Sequence, residues 1–396
     1  MRSRAVVVGA SLAGLRAAEA LRQRGYDGSL TLVGSEAHRP YDRPPLSKQV
    51  LTGRVGPEDT ALRADDALDV EWRLSTSASG VDLDRRRVHL AGADDLAFDH
   101  LVIATGAHPK MLPGLAPLAG VHTLRTLDDA VALRDELAGA PSVVVIGAGF
   151  IGLEVAASCR QRGLDATVLE ALPLPLERAI GARMGVVVAE LHRAHGVDVR
   201  LGTPVDGLVG SDRVEGVRLV DGTVVAAEVV VVGIGVAPTT GWLEGSGVDL
   251  ADGVACDASL RVLAGGRPRP DVVAAGDVAR WAHPGYGESV RIEHWTNASE
   301  QGDFAAQALV LGDGAPPFSP TPYFWSDQHG VMLQFVGRAR HDDVVEIIEG
   351  SLEDERFVAA YGRGGRLVAA LGMRRPARVM AMRQMITEGE AFPVSI

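Results

Sequence analysis

The chain has 396 residues, 46% of them hydrophobic, and a net charge of −12 at pH 7. That length exceeds one ordinary core and calls for two or three domains, while the acidic balance argues against a nucleic-acid partner, which normally demands a basic face. Cys159 and Cys256 are the only cysteines, at neither redox-motif nor metal-ligand spacing, so disulfide scaffolds, zinc sites and cysteine-held iron–sulfur clusters are excluded on count.

The N-terminus runs straight into a β-branched strand, and no apolar stretch approaches the roughly 18 residues of a membrane span. A soluble, cytoplasmic protein is expected. The first strand opens the segment VVVGASLAG at Val6, in which Gly9, Ser11 and Gly14 occupy the places of a dinucleotide fingerprint. The run predicts a buried parallel strand, a tight turn and a helix over Leu12 to Arg24, whose N-terminus can receive a diphosphate. Serine replaces the second glycine; it is small enough for a backbone to approach a pyrophosphate, and its hydroxyl can donate. Glu36 follows TLVG about 20 residues beyond the fingerprint, where a carboxylate accepts from ribose hydroxyls. An ordinary strand-end charge is the alternative there.

Next comes YDRPPLSK, Tyr41 to Lys48. Pro44 and Pro45 stiffen the loop and remove amide donors, so Arg43 and Lys48 are either presented rigidly or are solvated loop charges. IATGA at Ile103 to Ala107 ends a further strand.

A second fingerprint, VVVIGAGFIGLE, begins at Val143 with Gly147, Gly149 and Gly152 all present. It predicts a helix over Ile151 to Arg162, and Glu170 closes the next strand about 20 residues on. A carboxylate at that place pairs with free ribose hydroxyls and repels a 2′-phosphate, and no arginine stands between Ala171 and Glu177 to receive one, so Glu170 is either the selector of a dinucleotide with a free 2′-hydroxyl or an ordinary strand-end charge. Turn signals at Gly210-Ser211-Asp212 and Asp221-Gly222 mark a short antiparallel excursion within Pro141 to Val236.

The second unit lies inside the first, so the first must be completed later. DVVAAGDVA, Asp271 to Ala279, reads as the strand that returns to it. Crossing points are expected near Pro109 to Pro117 and near Ala237 to Gly247. Beyond Pro320 the strand runs VMLQFVG, DDVVEIIEG, RFVAAYG and RLVAALGM, with a hairpin turn at Gly362 to Gly365 and a helix from about Pro376 to Glu388, form an α+β domain. The fold class is therefore α/β: two Rossmann-like nucleotide-binding domains and a C-terminal α+β domain. The expected division is 1–112 with 241–319 for the first nucleotide, 113–240 for the second, and 320–396.

The order of these segments, with GIGVAPTT, AAGDVA, EHWTNASEQG and FWSDQHG, resembles the FAD-dependent, NADH-using ferredoxin reductases of the glutathione-reductase-like superfamily. These flavoprotein oxidoreductases serve cytochrome P-450 and Rieske oxygenase systems. The resemblance spans essentially the whole chain, and YDRPPLSK with HWTNA and WSDQ ties it to this branch. It implies that Gly9, Ser11 and Gly14 hold the pyrophosphate of a tightly bound FAD, Glu36 its adenosine ribose and Arg43 its pyrophosphate or adenosine portion. Thr105 and Gly106 pass close to FAD, Asp277 takes the ribityl chain, and the Trp295 backbone lies near the pyrimidine edge. Lys48 resembles the lysine beside the flavin ring, and Trp325 one lining its approach.

For NADH, the resemblance assigns Gly147, Gly149 and Gly152 to the pyrophosphate, Glu170 to the ribose, Glu154 to the carboxamide and Gly235 to the turn beside the nicotinamide. Lys48 and Glu154 are the catalytic candidates. His294 and His329 are read as structural, since hydride transfer to a flavin needs no general base.

The implied activity is electron transfer from NADH through FAD to a small ferredoxin, expected to carry a [2Fe–2S] cluster, by a monomer. Disulfide reductases of the superfamily need a dithiol after the first fingerprint, and Glu36 to Val70 has no cysteine. Alternatives on the same architecture are a rubredoxin reductase, an NADH oxidase or a slow redox-sensing flavoprotein. Arg374, Arg375, Arg378 and Arg383 are either a ferredoxin-docking rim or solvated surface charges.

Overall fold

The computed structural model describes residues 3–64, 68–112 and 118–394. The first expected crossing point, 109–117, therefore falls partly outside the described residues, as do the last two residues of the chain. The chain forms two compact units: Met1–Asp42, Ala61–His108 and Ala237–Pro320 make one, and Arg43–Thr60, Pro109–Val236 and Thr321–Ile396 the other.

In the first unit, Arg4–Val8 lies between two parallel neighbours, Ser29–Val33 and His100–Ile103, with Glu71–Arg73 extending one side. Arg267–Ala274 pairs in parallel with His100–Ile103, so the Asp271 segment does return to the first sheet. Val7, Val102 and Val273 are wholly buried. Burial on both faces is why these strands read as unbroken β-branched runs without alternation. The sheet continues through Arg261–Ala264, Val254–Cys256, Ala279–His283 and Glu288–Arg291, nine strands among the described residues.

The fingerprint helix, Leu12–Gln23, crosses Trp295–Leu311 closely: a Cβ on Gly302 would stand 2.4 Å from the Ala13 carbonyl oxygen. Gln301, next along, accepts from the Gly276 amide at 2.8 Å. The long helix thus secures the turn that presents Asp277.

The second unit holds a five-stranded parallel sheet among the described residues, in the order Asp198–Arg200, Asp165–Leu169, Ser142–Ile146, Val229–Val232, Val121–His122. Its fingerprint helix runs Phe150–Gln161, one residue ahead of the expected bounds at each end. The antiparallel excursion is Val205–Gly210, Val214–Leu219 and Val224–Ala226, turning where glycine and aspartate signalled it. The C-terminal part is a five-stranded antiparallel sheet, ordered Tyr323–Gln328, Val331–Gly337, Arg366–Met373, Arg356–Arg363, Val344–Ser351. Its helix is Pro376–Glu388, with proline at the first helical position, where its missing amide costs nothing. Tyr361 anchors this sheet by donating to the Ile180 carbonyl at 2.7 Å.

Candidate functional site

The two fingerprint turns have the same construction. Gly9 has φ +121° and Gly147 φ +103°, and a Cβ would stand 2.0 Å from the Ala104 oxygen in one and 2.4 Å from the Gly233 oxygen in the other. Gly14 and Gly152 let each helix close on its own turn: their Cβ positions are 1.9 Å from the Gly9 oxygen and 2.3 Å from the Gly147 oxygen. The chain's own packing demands these four glycines.

Gly149 differs. Its φ is −75°, and the nearest neighbour of a Cβ there is 3.8 Å away. None of the described residues requires a glycine at this helix N-cap, and Ser11 is the N-cap of the first helix at the equivalent place. What such a residue accommodates is a ligand approaching the backbone, as a dinucleotide pyrophosphate does over a helix N-terminus. Both turns fit such a group.

Each fingerprint has its carboxylate. Glu36 accepts the hydroxyl proton of Tyr41, a residue sequence reasoning did not assign. Glu170 is pinned by two backbone amides: Oε2 accepts from Ala148 at 2.7 Å and Oε1 from Leu172 at 2.9 Å. Each oxygen has a further lone pair for a ribose hydroxyl. Thr105 Oγ1 donates to the Thr239 carbonyl at 2.8 Å, and the Gly106 carbonyl accepts from the Thr239 amide at 2.9 Å, closing the end of that strand. Asp277 is half-buried, and its carbonyl accepts from Arg291 at 3.1 Å. Trp295 begins the long helix of its unit and donates its indole N–H to Asp42 at 2.6 Å. Gly235, at φ +99° with open space around its Cβ position, accepts from the Lys110 amide at 2.9 Å.

Lys48 and Glu154 meet. Lys48 lies in the wide helical turn Leu46–Val50, and its ammonium is 2.7 Å from Glu154 Oε2, with side chains 15% and 7% exposed. Ser47 donates to the same oxygen at 2.5 Å and Ser326 to Oε1 at 2.5 Å. The helix explains the placement. Residues four apart share a face, and Glu154 is followed by Ser158, which donates to the Ser47 carbonyl at 2.7 Å, and Arg162, which donates to the Leu51 carbonyl at 2.8 Å. One polar stripe on the second fingerprint's helix thus fastens the lysine-bearing turn. Ser47, Ser158, Arg162 and Ser326 were not singled out from sequence; polar residues recurring every four positions in an otherwise apolar helix were the available signal. Arg43 lies just before this turn and donates to the Arg125 carbonyl at 2.5 Å.

Three histidines are held neutral. Burial lowers His192 to about 4, against a hydrogen bond with Gln328, and lowers His294 to about 4, against the charge of Asp277. His329 falls to about 3 through burial, with His192, His195 and Arg160 adding. An unfolded chain binds protons on all three below about pH 6.5, so stability present above that pH is lost as the pH falls toward the folded values. Urea midpoints are therefore expected to drop steadily from about pH 7.5 to about 5, with a net uptake of protons on unfolding to which His100, also lowered by burial, adds; a flat profile would contradict the neutral assignment.

Both cysteines are buried, and burial pushes the Cys159 thiol up to about 12 and raises Cys256 further. Of the rim arginines, Arg374 pairs with Glu355, Arg375 and Arg378 share Glu349, and Arg383 donates to the Thr321 carbonyl. Arg374 and Arg375 precede the helix and do not lie on it. Trp325 stacks with Tyr323 at 6.0 Å between ring centres. Among the described residues no cluster of His, Cys, Asp or Glu could hold a metal ion, and no helix is long and apolar enough to cross a membrane.

Residues 3–302 match the family model described as pyridine nucleotide-disulphide oxidoreductase, and residues 323–395 the one described as reductase C-terminal. Rhodocoxin reductase of Rhodococcus erythropolis is 38% identical, over 96% of this chain and 88% of its own length. Putidaredoxin reductase of Pseudomonas putida is 34% identical over 97% and 91%, and the ferredoxin–NAD(+) reductase component of a Burkholderia cepacia anthranilate 1,2-dioxygenase system 35% over 97% and 94%. The crystal structure of the covalent putidaredoxin reductase–putidaredoxin complex superimposes with TM-score 0.91 at 34% identity, covering 98% of this chain and 93% of that one. The structure of Fdr9 gives TM-score 0.88 at 40% identity, covering 98% and 95%.

Proposed function

The chain belongs to the pyridine nucleotide-disulphide oxidoreductase family, and from that membership we propose that it carries electrons from NADH through FAD to a small ferredoxin serving an oxygenase. The observation that carries the reading is the buried Lys48–Glu154 pair on the helix of the second fingerprint, in a chain whose relatives are ferredoxin reductases over nearly its whole length. FAD, when bound, supplies a hydride acceptor and converts a two-electron input into single-electron outputs.

The protein's residues bind and orient. Gly9, Ser11 and Gly14 would hold the FAD pyrophosphate, Glu36 the adenosine ribose, and Arg43 the pyrophosphate or adenosine portion. Thr105, Gly106 and Asp277 would face the ribityl side, and Trp295 the pyrimidine edge. Gly147, Gly149 and Gly152 would hold the NADH pyrophosphate, with Gly235 beside the nicotinamide and Glu154 at its carboxamide. Lys48 supplies a fixed cation where negative charge grows on reduction. Glu170, immobilised by two amides, selects a free ribose over a 2′-phosphate.

The absence of a dithiol supports direct exit of electrons from the flavin: both thiols are buried and held protonated. We assign the acceptor to the [2Fe–2S] class, the working form to a cytoplasmic monomer, and the labour to FAD-binding 1–112 with 241–319, NADH-binding 113–240 and C-terminal 320–396 domains.

Anaerobic stopped-flow mixing of the FAD-loaded protein with NADH or NADPH, then with an oxidised [2Fe–2S] ferredoxin, tests this. Fast flavin bleaching by NADH, slow bleaching by NADPH and subsequent cluster reduction are expected. Bleaching without transfer to any ferredoxin would reject the acceptor and favour rubredoxin or oxygen in its place.

A further inference from the structure

The strand Tyr323–Gln328 puts polar side chains where a half-buried strand puts apolar ones. Ser326 and Gln328 are both fully buried, while Trp325 and Asp327 are only partly so. A buried hydroxyl and a buried amide cost free energy unless their polar atoms are paired. Here the partners form one continuous chain. Ser326 donates to Glu154 Oε1 at 2.5 Å, Gln328 Nε2 donates to Ser326 Oγ at 3.0 Å, Gln328 Oε1 faces His192 Nε2 at 2.8 Å, and His192 Nδ1 faces His329 Nε2 at 3.1 Å.

Donor and acceptor inventories fix the direction. An ionised carboxylate only accepts, so Ser326 commits its single proton to Glu154. Its oxygen then accepts from the Gln328 amide nitrogen, which turns the amide oxygen toward His192 and requires N–H at Nε2. Nδ1 of His192 is left as an acceptor for His329. Every donor points toward Glu154. The low values of His192 and His329 keep both rings neutral at pH 7, as this arrangement needs.

The outer end is built at some cost. His329 and Gly330 form the hairpin turn to Val331–Gly337 with φ +55° and +75°, where asparagine and glycine are the usual pair. The histidine's ring also stacks on His195, 4.3 Å between centres. A side chain held in the left-handed region, stacked on one face and hydrogen-bonded at its edge, closes the chain at a defined point.

We propose that Ser326, Gln328 and His192 are positioning residues, a one-way hydrogen-bond relay that locks the rotamer of Glu154 and thereby the place of the Lys48 ammonium. The inference rests on the reading of Glu154 and Lys48 as the pair at the hydride-transfer site. Gln328 makes the relay orient and not conduct, because an amide passes no proton while it remains an amide.

Lys48 and Lys110 are the only lysines, so amine acylation read by mass spectrometry reports Lys48 against an internal standard, with or without cofactor. Ser326→Ala and Gln328→Met are expected to raise the Lys48 to Lys110 labelling ratio about threefold, since the ammonium loses its fixed partner. They should slow flavin bleaching by NADH roughly tenfold while changing half-saturating NADH less than about twofold, as misplacement of a transition-state contact does. Ser326→Thr restores the hydroxyl and should return both readouts toward the parent. Parent-like labelling and bleaching in Ser326→Ala and Gln328→Met, with Glu154→Gln slow, would overturn the relay alone. Parent-like bleaching in Glu154→Gln would overturn the site reading and the relay's part in turnover together.

Discussion

Gly149→Asp is expected to raise the NADH concentration for half-maximal flavin bleaching about a hundredfold, through a like-charge contact of several kcal/mol with the pyrophosphate. Folding should be untouched. The residue is a helix N-cap with φ −75°, and a Cβ there would meet only the Gly233 oxygen, at an ordinary contact distance of 3.8 Å; aspartate is among the preferred N-cap residues. The FAD content and the melting temperature are therefore expected to match the parent. Gly152→Ala is the contrasting variant: its Cβ would stand 2.3 Å from the Gly147 oxygen, and it should lose stability together with NADH binding. Titration of bleaching rate against NADH, with thermal unfolding of the same samples, separates the two. An unchanged NADH dependence in Gly149→Asp would remove the second fingerprint from the binding site.

Lys48→Met is expected to cost about 3 kcal/mol of stability, because it strands a buried carboxylate without its counter-ion. Ser47 and Ser326 still donate to Glu154 in that variant, but hydroxyls do not supply the missing charge. Glu154→Gln should also destabilise, leaving Lys48 largely buried and unpaired. The double variant should recover much of the combined loss, giving a coupling of about 2 kcal/mol. Urea unfolding of the four FAD-loaded proteins measures it, and additive losses would show that the two groups are held independently.

Much of this architecture was legible because each nucleotide unit is locally encoded. The unbroken valine runs at Val6 and Val143 mark strands covered on both faces, and the glycines after them mark turns that no side chain enters. The return of Asp271 to the first sheet followed from the interruption of one unit by another. The strand Tyr323–Gln328 escaped because its buried positions are a serine and a glutamine, satisfied by hydrogen bonds and invisible to hydrophobic alternation. The hairpin strands Ala78–Asp82 and Arg87–Leu90 escaped as well: they are five and four residues long, too short for the alternation of Arg87–Leu90 to stand out.

The site itself divides the same way. Lys48 and Glu154 were each singled out by motif, but their contact joins residues far apart in sequence, and no local pattern announces it. Ser47 and Ser326 reach the same carboxylate across 107 and 172 residues. The tyrosine that donates to Glu36 was in plain view within YDRPPLSK, where the charged residues drew the assignment.

The burial of both thiols bears on the company this protein keeps. A thiol raised to about 12 is ionised to only about one part in 10⁵ at neutral pH, and peroxide attacks the thiolate. The oxygenase system proposed as this chain's electron sink would release peroxide beside its donor whenever it uncouples. A donor whose two sulfhydryls are both sealed in its interior should outlast that exposure, keeping its turnover after peroxide doses that silence thiol-dependent flavoproteins.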